Sequence, residues 1–313
     1  MDICLQIVLL VAGFAMLIKG ADWFVDGAAG IATRLGIPQL VIGLTIVAMG
    51  TSSPEAAVSI SAALKGSADI TIGNIVGSNI LNVFIILGLS AVITTLAVAK
   101  STVRYEIPFV IFVTLLLLFQ GRDGAVDFID GIVLLVMFII YFVYLFVLAK
   151  KDQQADVGIE PKAEKPISIP KGLLLIVVGL ALIIAGSSIA VDAASELART
   201  FGLSERIIGL TIVALGTSLP ELCTSISAAR KGNADIAIGN IVGSNLFNIL
   251  FVVGISALIT PIQFAQQFMV DTIVAVIAVV LLLVCCLPKK KIGILSGVLL
   301  LAGYAAYFAL VLL

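Results

Sequence analysis

The chain has 313 residues, 61% hydrophobic and 12% charged, with a mean hydropathy of +1.24. A soluble globular domain carries about 25% charged residues, so most of this surface is made for lipid and a water-soluble core is excluded. A net charge of −1 without a basic face offers nothing to nucleic acid, and the lack of histidine removes the usual proton shuttle and nitrogen ligand.

A helix crossing a bilayer needs about 20 apolar residues. Ten such spans are expected, over 3–33, 38–65, 69–96, 104–121, 127–150, 171–199, 205–229, 234–260, 268–287 and 291–312. The N-terminus has neither a basic n-region nor an A-x-A cleavage site, so residues 3–19 read as a retained first span. The first and sixth spans are longer than a bilayer requires. They end in polar tails (Asp22, Asp26, Arg34; Asp192, Glu196, Arg199), which suits tilted helices running into the interface. The aromatic residues of the fourth and ninth spans read as lipid or core surface. Cys4, Cys223, Cys285 and Cys286 lack zinc-ligand spacing, and the adjacent pair reads as core filler. Residues 151–170, rich in Lys, Asp, Glu and Pro, read as a linker between a first five-helix repeat (1–150) and a second (171–313).

The second and third spans carry GLTIVAMGTSSPE from Gly43 to Glu55 and GNIVGSNILN from Gly73 to Asn82. The seventh and eighth carry GLTIVALGTSLPE from Gly209 to Glu221 and GNIVGSNLFN from Gly239 to Asn248. The offset is 166 throughout, and about 36 of the 54 positions in 42–95 match those in 208–261, which marks an internal duplication. With the N-terminus outside, about 13 of the 18 basic residues fall in cytoplasmic loops, including Arg34, Lys100, Arg104, Lys150, Arg230 and Lys231. Both termini are then outside and the 151–170 linker is cytoplasmic. Five spans being an odd number, the second repeat must enter from the opposite side to the first. The expected fold is therefore an all-α integral membrane protein of ten transmembrane helices in two inverted-topology five-helix repeats, an architecture that places the substrate at the midplane between them.

Thr51 and Glu55 lie four apart and share a helix face, as do Ser78 with Asn82, Thr217 with Glu221, and Ser244 with Asn248. Pro54 and Pro220 deprive Gly50 and Gly216 of helical partners. Breaks of this kind are tolerated where the backbone lines a cavity, and the carbonyls of Ala48 and Ala214 are expected among those released as ligands. Carboxylate, hydroxyl, amide and carbonyl oxygens without sulfur or imidazole suit hard cations. Ca²⁺ takes about 6–8 oxygens, and two carboxylates neutralise one such ion. Na⁺ tolerates neutral ligands, so the same ring could hold it in competition with Ca²⁺. A single intramembrane Glu already points to function because ionised groups are expensive there, and here Glu55 and Glu221 occupy matching positions. The serines and threonines taken alone also serve helix packing. Asn74, Asn79, Asn240 and Asn245 could cap broken helices instead of meeting an ion.

The paired GTSxPE and GNxxGSNxxN motifs resemble the alpha repeats of the cation/calcium exchanger superfamily, particularly its prokaryotic sodium/calcium exchanger branch, over nearly the whole chain. The resemblance implies that spans 2, 3, 7 and 8 surround the site and that spans 1 and 6 slide past the remainder during alternating access. It places Ca²⁺-coordinating carboxylates on Glu55 and Glu221. Hydroxyl ligands for Ca²⁺ and Na⁺ fall on Thr51, Thr217, Ser52, Ser218, Ser78 and Ser244, carbonyl ligands on Ala48 and Ala214, and a central polar pair on Asn82 and Asn248. Some members, including potassium-dependent ones, carry Asp where this chain has Asn248, so two carboxylates are expected here and K⁺ cotransport is not. The linker is too short for large regulatory Ca²⁺-binding domains.

The expected function is Na⁺/Ca²⁺ antiport in a prokaryotic cell membrane, by a monomer whose partners are Ca²⁺, Na⁺ and the lipid bilayer, with no prosthetic group. The alternative is H⁺/Ca²⁺ (or other divalent cation) antiport, because a carboxyl group held away from water can carry a proton. The many hydroxyl ligands, which a proton does not need, weigh against it. An enzyme using the carboxylates as an acid/base pair is disfavoured, since the chain offers neither histidine nor a separate nucleophile arrangement. A channel would gain nothing from rocking inverted repeats.

Overall fold

The computed structural model describes residues 3–66, 69–155, 167–201 and 214–312. Most of the expected linker and the start of the expected seventh span therefore lie outside the described residues. The long first helix, α1 (Ile3–Leu35), ends at Gly36, whose φ of 62° suits a residue without a side chain, and Pro38 opens the next helix. That helix is bent by 51°, giving α2 (Gln39–Thr51) and α3 (Ser53–Leu64). Then come α4 (Ile70–Ile93), α5 (Thr102–Asp123) and α6 (Phe128–Ala155). The second half follows the same order with α7 (Ile169–Thr200), α8 (Ala214–Thr217), α9 (Leu219–Arg230), α10 (Ala234–Ile259), α11 (Gln266–Cys286) and α12 (Ile294–Leu312).

Among the described residues, seven helices are long and apolar enough to cross a membrane, or eight with α2 and α3 taken as one bent span. Ten spans were expected; the shortfall lies in α12, which is apolar but short, and in the seventh span, whose first part falls outside the described residues. Apolar residues such as Ile129, Ile139, Val143 and Phe146 of α6 face outward. Only 17% of the α6 span is buried, against 78% of α4 and 83% of α10. Helices apolar on every side but wrapped by others form the centre, and helices apolar outward form the rim, as in a multi-pass membrane protein.

Glycines show how the halves meet. A Cβ added at Gly13, Gly20 or Gly27 of α1 would lie 2.7–2.8 Å from the carbonyl oxygen of Gly186, Gly179 or Gly172 of α7. The partner number falls as the α1 number rises, so these two helices, at matching positions of the duplication, run antiparallel. The contacts are reciprocal, because Gly13 corresponds to Gly179 and Gly20 to Gly186 at the offset of 166. Reciprocity of this kind is the mark of a two-fold axis. It recurs where Gly131 of α6 meets Gly254 of α10 while Gly297 of α12 meets Gly88 of α4.

The short strands obey the same relation. β1 (Leu96–Ala97) pairs antiparallel with β4 (Lys291–Ile292), and β2 (Ala125–Val126) with β3 (Ile262–Gln263). Each pair joins one half to the other. The N–H of Val98 donates to the Lys290 carbonyl at 2.9 Å, and that of Phe264 to the Gly124 carbonyl at 2.8 Å.

The antiparallel glycine contact gives a direct test. Gly20→Ala would put its methyl carbon against rigid backbone, and overpacking of this kind costs about 1–3 kcal/mol. The thermal midpoint of the purified chain should fall. Gly293→Ala, whose added carbon would come no closer than 3.9 Å to Thr95, should leave it nearly unchanged.

Candidate cation site

The bend between α2 and α3 lies at Ser52 (φ −81°, ψ 6°), and its counterpart between α8 and α9 at Ser218 (φ −90°, ψ 3°). Pro54 and Pro220 follow each break and cannot donate to the carbonyl four residues back. The two halves satisfy that carbonyl differently. Ser53 Oγ donates to the Gly50 carbonyl at 2.7 Å, whereas Ser187 Oγ of α7 donates to the Gly216 carbonyl at 2.8 Å. The counterpart of Ser53 is Leu219 and that of Ser187 is Ala21, so the hydroxyl has changed helices while the bond has been kept. The Ala48 carbonyl, expected to be released, instead accepts the Ser52 N–H at 3.0 Å, with Ser244 Oγ at 3.4 Å. Proline frees only the carbonyl four positions before it, and for Pro54 that is Gly50. Ala214 opens α8, and its side chain lies outside the described residues.

Glu55 and Glu221 sit in the first turns of α3 and α9, where the helix dipole favours negative charge. Both are fully buried. Ser52 Oγ donates across the repeats to Glu221 Oε1 at 2.8 Å. Ser78 Oγ reaches Glu55 Oε1 at 3.5 Å and lies 3.3 Å from Ser218 Oγ. Thr51 Oγ1 donates to Asn240 Oδ1 at 3.0 Å, and Thr217 is half-buried at the end of α8. The structure thus brings Ser52 and Ser78 to the two carboxylates, places Thr51 beside Glu221, and ties Ser218 to the site through Ser78 and Ser244 through the Ala48 carbonyl.

Asn74, Asn79, Asn240 and Asn245, open to either capping or ion contact from the sequence, all have protein partners. Asn74 Nδ2 donates to the Glu55 carbonyl at 3.3 Å and to Ser59 Oγ at 2.9 Å. Asn240 Nδ2 does the same to the Glu221 carbonyl at 3.4 Å and to Ser225 Oγ at 2.9 Å. Asn79 and Asn245 tie α4 to α10, each amide donating to the other's backbone carbonyl at 3.2 and 3.4 Å. Their side-chain oxygens take Asn248 Nδ2 at 3.1 Å and Asn82 Nδ2 at 3.0 Å. Asn82 and Asn248 also open π-helical turns, Asn82–Leu87 and Asn248–Val253, a distortion found frequently at functional sites.

Four oxygens remain. Glu55 Oε2, Glu221 Oε2, Asn82 Oδ1 and Asn248 Oδ1 are buried and have no hydrogen-bond partner among the described residues. Buried polar atoms are ordinarily paired. Within the duplicated motifs these four form two repeat-related pairs, all acceptors. Such a set of oxygen acceptors is suited to a hard cation. Among the described residues there is no cluster of three or more His, Cys, Asp or Glu, so Glu55 and Glu221 are the acidic groups of the candidate site.

Sequence alone does not decide the role of Asn79 and Asn245. The signal it offers is their repetition within two otherwise apolar GNxxGSN motifs, but their contacts cross between repeats and cannot be read from either copy. Asn245→Ala would leave Asn82 Nδ2 without its acceptor in a buried setting and remove a second donor from the Asn79 carbonyl. The expected loss is about 1–3 kcal/mol for the orphaned amide, measured as a lower thermal midpoint; Ser188→Ala, at an exposed hydroxyl, should change it little.

The family model described as sodium/calcium exchanger protein matches residues 5–147 and 171–313. The chain is 35% identical over 312 residues to the inner membrane protein YrbG of Escherichia coli (strain K12), covering 96% of this chain and 95% of that one. It is 30% identical over 350 residues to the sodium/calcium exchanger MaX1 of Methanosarcina acetivorans, covering 97% and 98%. Among solved structures, the sodium-calcium exchanger NCX_Mj soaked with zero Na⁺ and Ca²⁺ superposes with a TM-score of 0.86 at 32% identity, covering 99% of this chain and 100% of that one.

Proposed function

The chain belongs to the sodium/calcium exchanger family, and from that premise we propose that it is a secondary active antiporter exchanging Na⁺ for Ca²⁺ across a cell membrane by alternating access. The observation that carries the reading is the set of four buried acceptors, Glu55 Oε2, Glu221 Oε2, Asn82 Oδ1 and Asn248 Oδ1, contributed equally by the two copies of the motif. Ca²⁺ is the cargo whose charge matches two carboxylates. Ser52 and Ser78 hold the other oxygen of each carboxylate and so fix its orientation. Thr51, Thr217, Ser218, Ser244 and the carbonyls of Ala48 and Ala214 complete the oxygen set for Ca²⁺ and Na⁺. Na⁺ occupying the same oxygens screens the carboxylates once Ca²⁺ leaves, and the shared ligands force the two ions to compete.

This reading takes the chain as ten spans in two inverted five-helix repeats, 1–150 and 171–313, joined by the cytoplasmic linker 151–170, with both termini outside and the monomer as the transport unit. The antiparallel glycine seam between α1 and α7 supports the inversion and offers a smooth surface for sliding. A difference between the ends of that seam supports alternation. Lys231 Nζ lies 2.5 Å from Asp26 Oδ1 and 3.7 Å from Asp22 Oδ1, and Ser227 Oγ donates to Asp22 Oδ1 at 2.6 Å, which ties α1 to the end of α9. The corresponding Lys65 and Asp192 form no ion pair among the described residues. A transporter that closes one side at a time needs this kind of asymmetry.

Vesicles containing the purified chain should take up Ca²⁺ when an outward Na⁺ gradient is imposed, and Glu55→Gln and Glu221→Gln should each abolish the uptake. Retention of the flux by both variants would overturn the site. Uptake driven by a pH gradient in the absence of Na⁺ would decide for H⁺/Ca²⁺ exchange instead.

A further inference from the structure

Outside the ion site, a cleft of about 430 Å³ opens between α5 and α6. Its walls include Tyr105, Phe109, Phe112 and Tyr141, with Arg104 and Glu106 as its charged groups. Tyr105 and Phe112 are exposed on the outward, apolar side of α5, so the cleft faces lipid. Glu106 ends a π-helical turn, Thr102–Glu106, and is only 1% exposed. One carboxylate oxygen accepts the Tyr144 hydroxyl; the other, Oε2, has no partner in hydrogen-bond geometry among the described residues, although the Thr102 and Ser101 hydroxyls lie close to the carboxylate. The hydroxyl of buried Tyr141 likewise has no hydrogen-bond partner among the described residues. Arg104 lies 5.7 Å from the centre of the Tyr105 ring and makes no ion pair among the described residues.

An ionisable side chain buried in a membrane helix is expensive and calls for a partner. The counterpart of Glu106 in the second half is Thr272, so this carboxylate is no part of the duplicated ion site. The same asymmetry hides it in the sequence, where only residues present in both copies stand out.

We propose that this cleft binds a phospholipid whose headgroup carries a primary ammonium. The apolar walls suit an acyl chain. Arg104 at the rim matches the phosphate, and the unpaired Glu106 oxygen matches an N–H of the ammonium. Depth agrees with a headgroup. Arg104 lies in the first turn of α5, and Tyr144 lies in the second half of α6 below Lys150, whose Nζ sits 4.6 Å from the Phe146 ring centre, the level at which basic side chains meet headgroups. A trimethylated choline headgroup has the same charges but no N–H, so it cannot satisfy Glu106. A simple organic amine lacks the phosphate and the chain.

The test is native mass spectrometry of the detergent-purified full chain with equimolar dioleoyl phosphatidylethanolamine and phosphatidylcholine. Gain of one charge-assisted hydrogen bond corresponds to a preference of about tenfold for the ethanolamine lipid. Glu106→Gln should bring the two lipids to parity, and Arg104→Ala should weaken both. On the unaltered chain, successive N-methylation of the ethanolamine should reduce binding stepwise, which decides the matter even if Glu106→Gln fails to fold. Equal binding across the methylation series, a preference for phosphatidylglycerol, or an undiminished preference in Glu106→Gln would overturn the proposal. None of these readouts involves ion transport, so they are independent of the exchange reaction.

Discussion

Two fully buried carboxylates, with no cationic side chain bonded to either among the described residues, set the terms for everything around them. Glu55 and Glu221 are buried at the centre of a protein whose exterior is lipid-facing. Leaving buried charges uncompensated is strongly unfavourable, and like charges sharing one site repel. The surrounding architecture answers that cost in parts. Helix N-termini are aimed at each carboxylate, a serine hydroxyl holds one oxygen of each, and asparagine amides hold the backbone carbonyl of each glutamate. What is left over is acceptor capacity on both, which the proposed cation would complete.

The two-fold relation makes such a site possible from one motif. Each copy supplies one break, one carboxylate and one central asparagine, and key partners of these groups lie in the other copy. Asn82 is held by Asn245, Asn248 by Asn79, and Glu221 by Ser52. Neither half is complete alone, so separating the repeats would dismantle the site and not merely halve it. Antiparallel packing of α1 on α7 expresses the same symmetry.

Much of this is legible in the amino-acid sequence itself. The offset of 166 exposes the duplication, the odd number of expected spans implies inversion, and Glu55 and Glu221 stand out as ions inside apolar stretches. Helix-face spacing finds Thr51, Ser78, Asn82 and their counterparts. Legibility fails where a contact depends on the partner helix. The move of a hydroxyl from Ser53 to Ser187 is invisible until Ala21 and Leu219 are seen beside them. The Ala48 carbonyl keeps a helical bond because proline releases a different one. The π-helical turns at Asn82, Thr102 and Asn248 have no residue signature of their own, and Glu106 is hidden because the second copy has threonine in its place.

The central claim is that one set of oxygens, shared by both repeats, serves both ions. Calorimetric titration of Ca²⁺ into the purified full chain at increasing Na⁺ tests it most directly. The account predicts that the apparent Ca²⁺ affinity falls steadily as Na⁺ rises while the number of Ca²⁺ sites stays fixed. Ca²⁺ binding with an affinity indifferent to Na⁺ would contradict it.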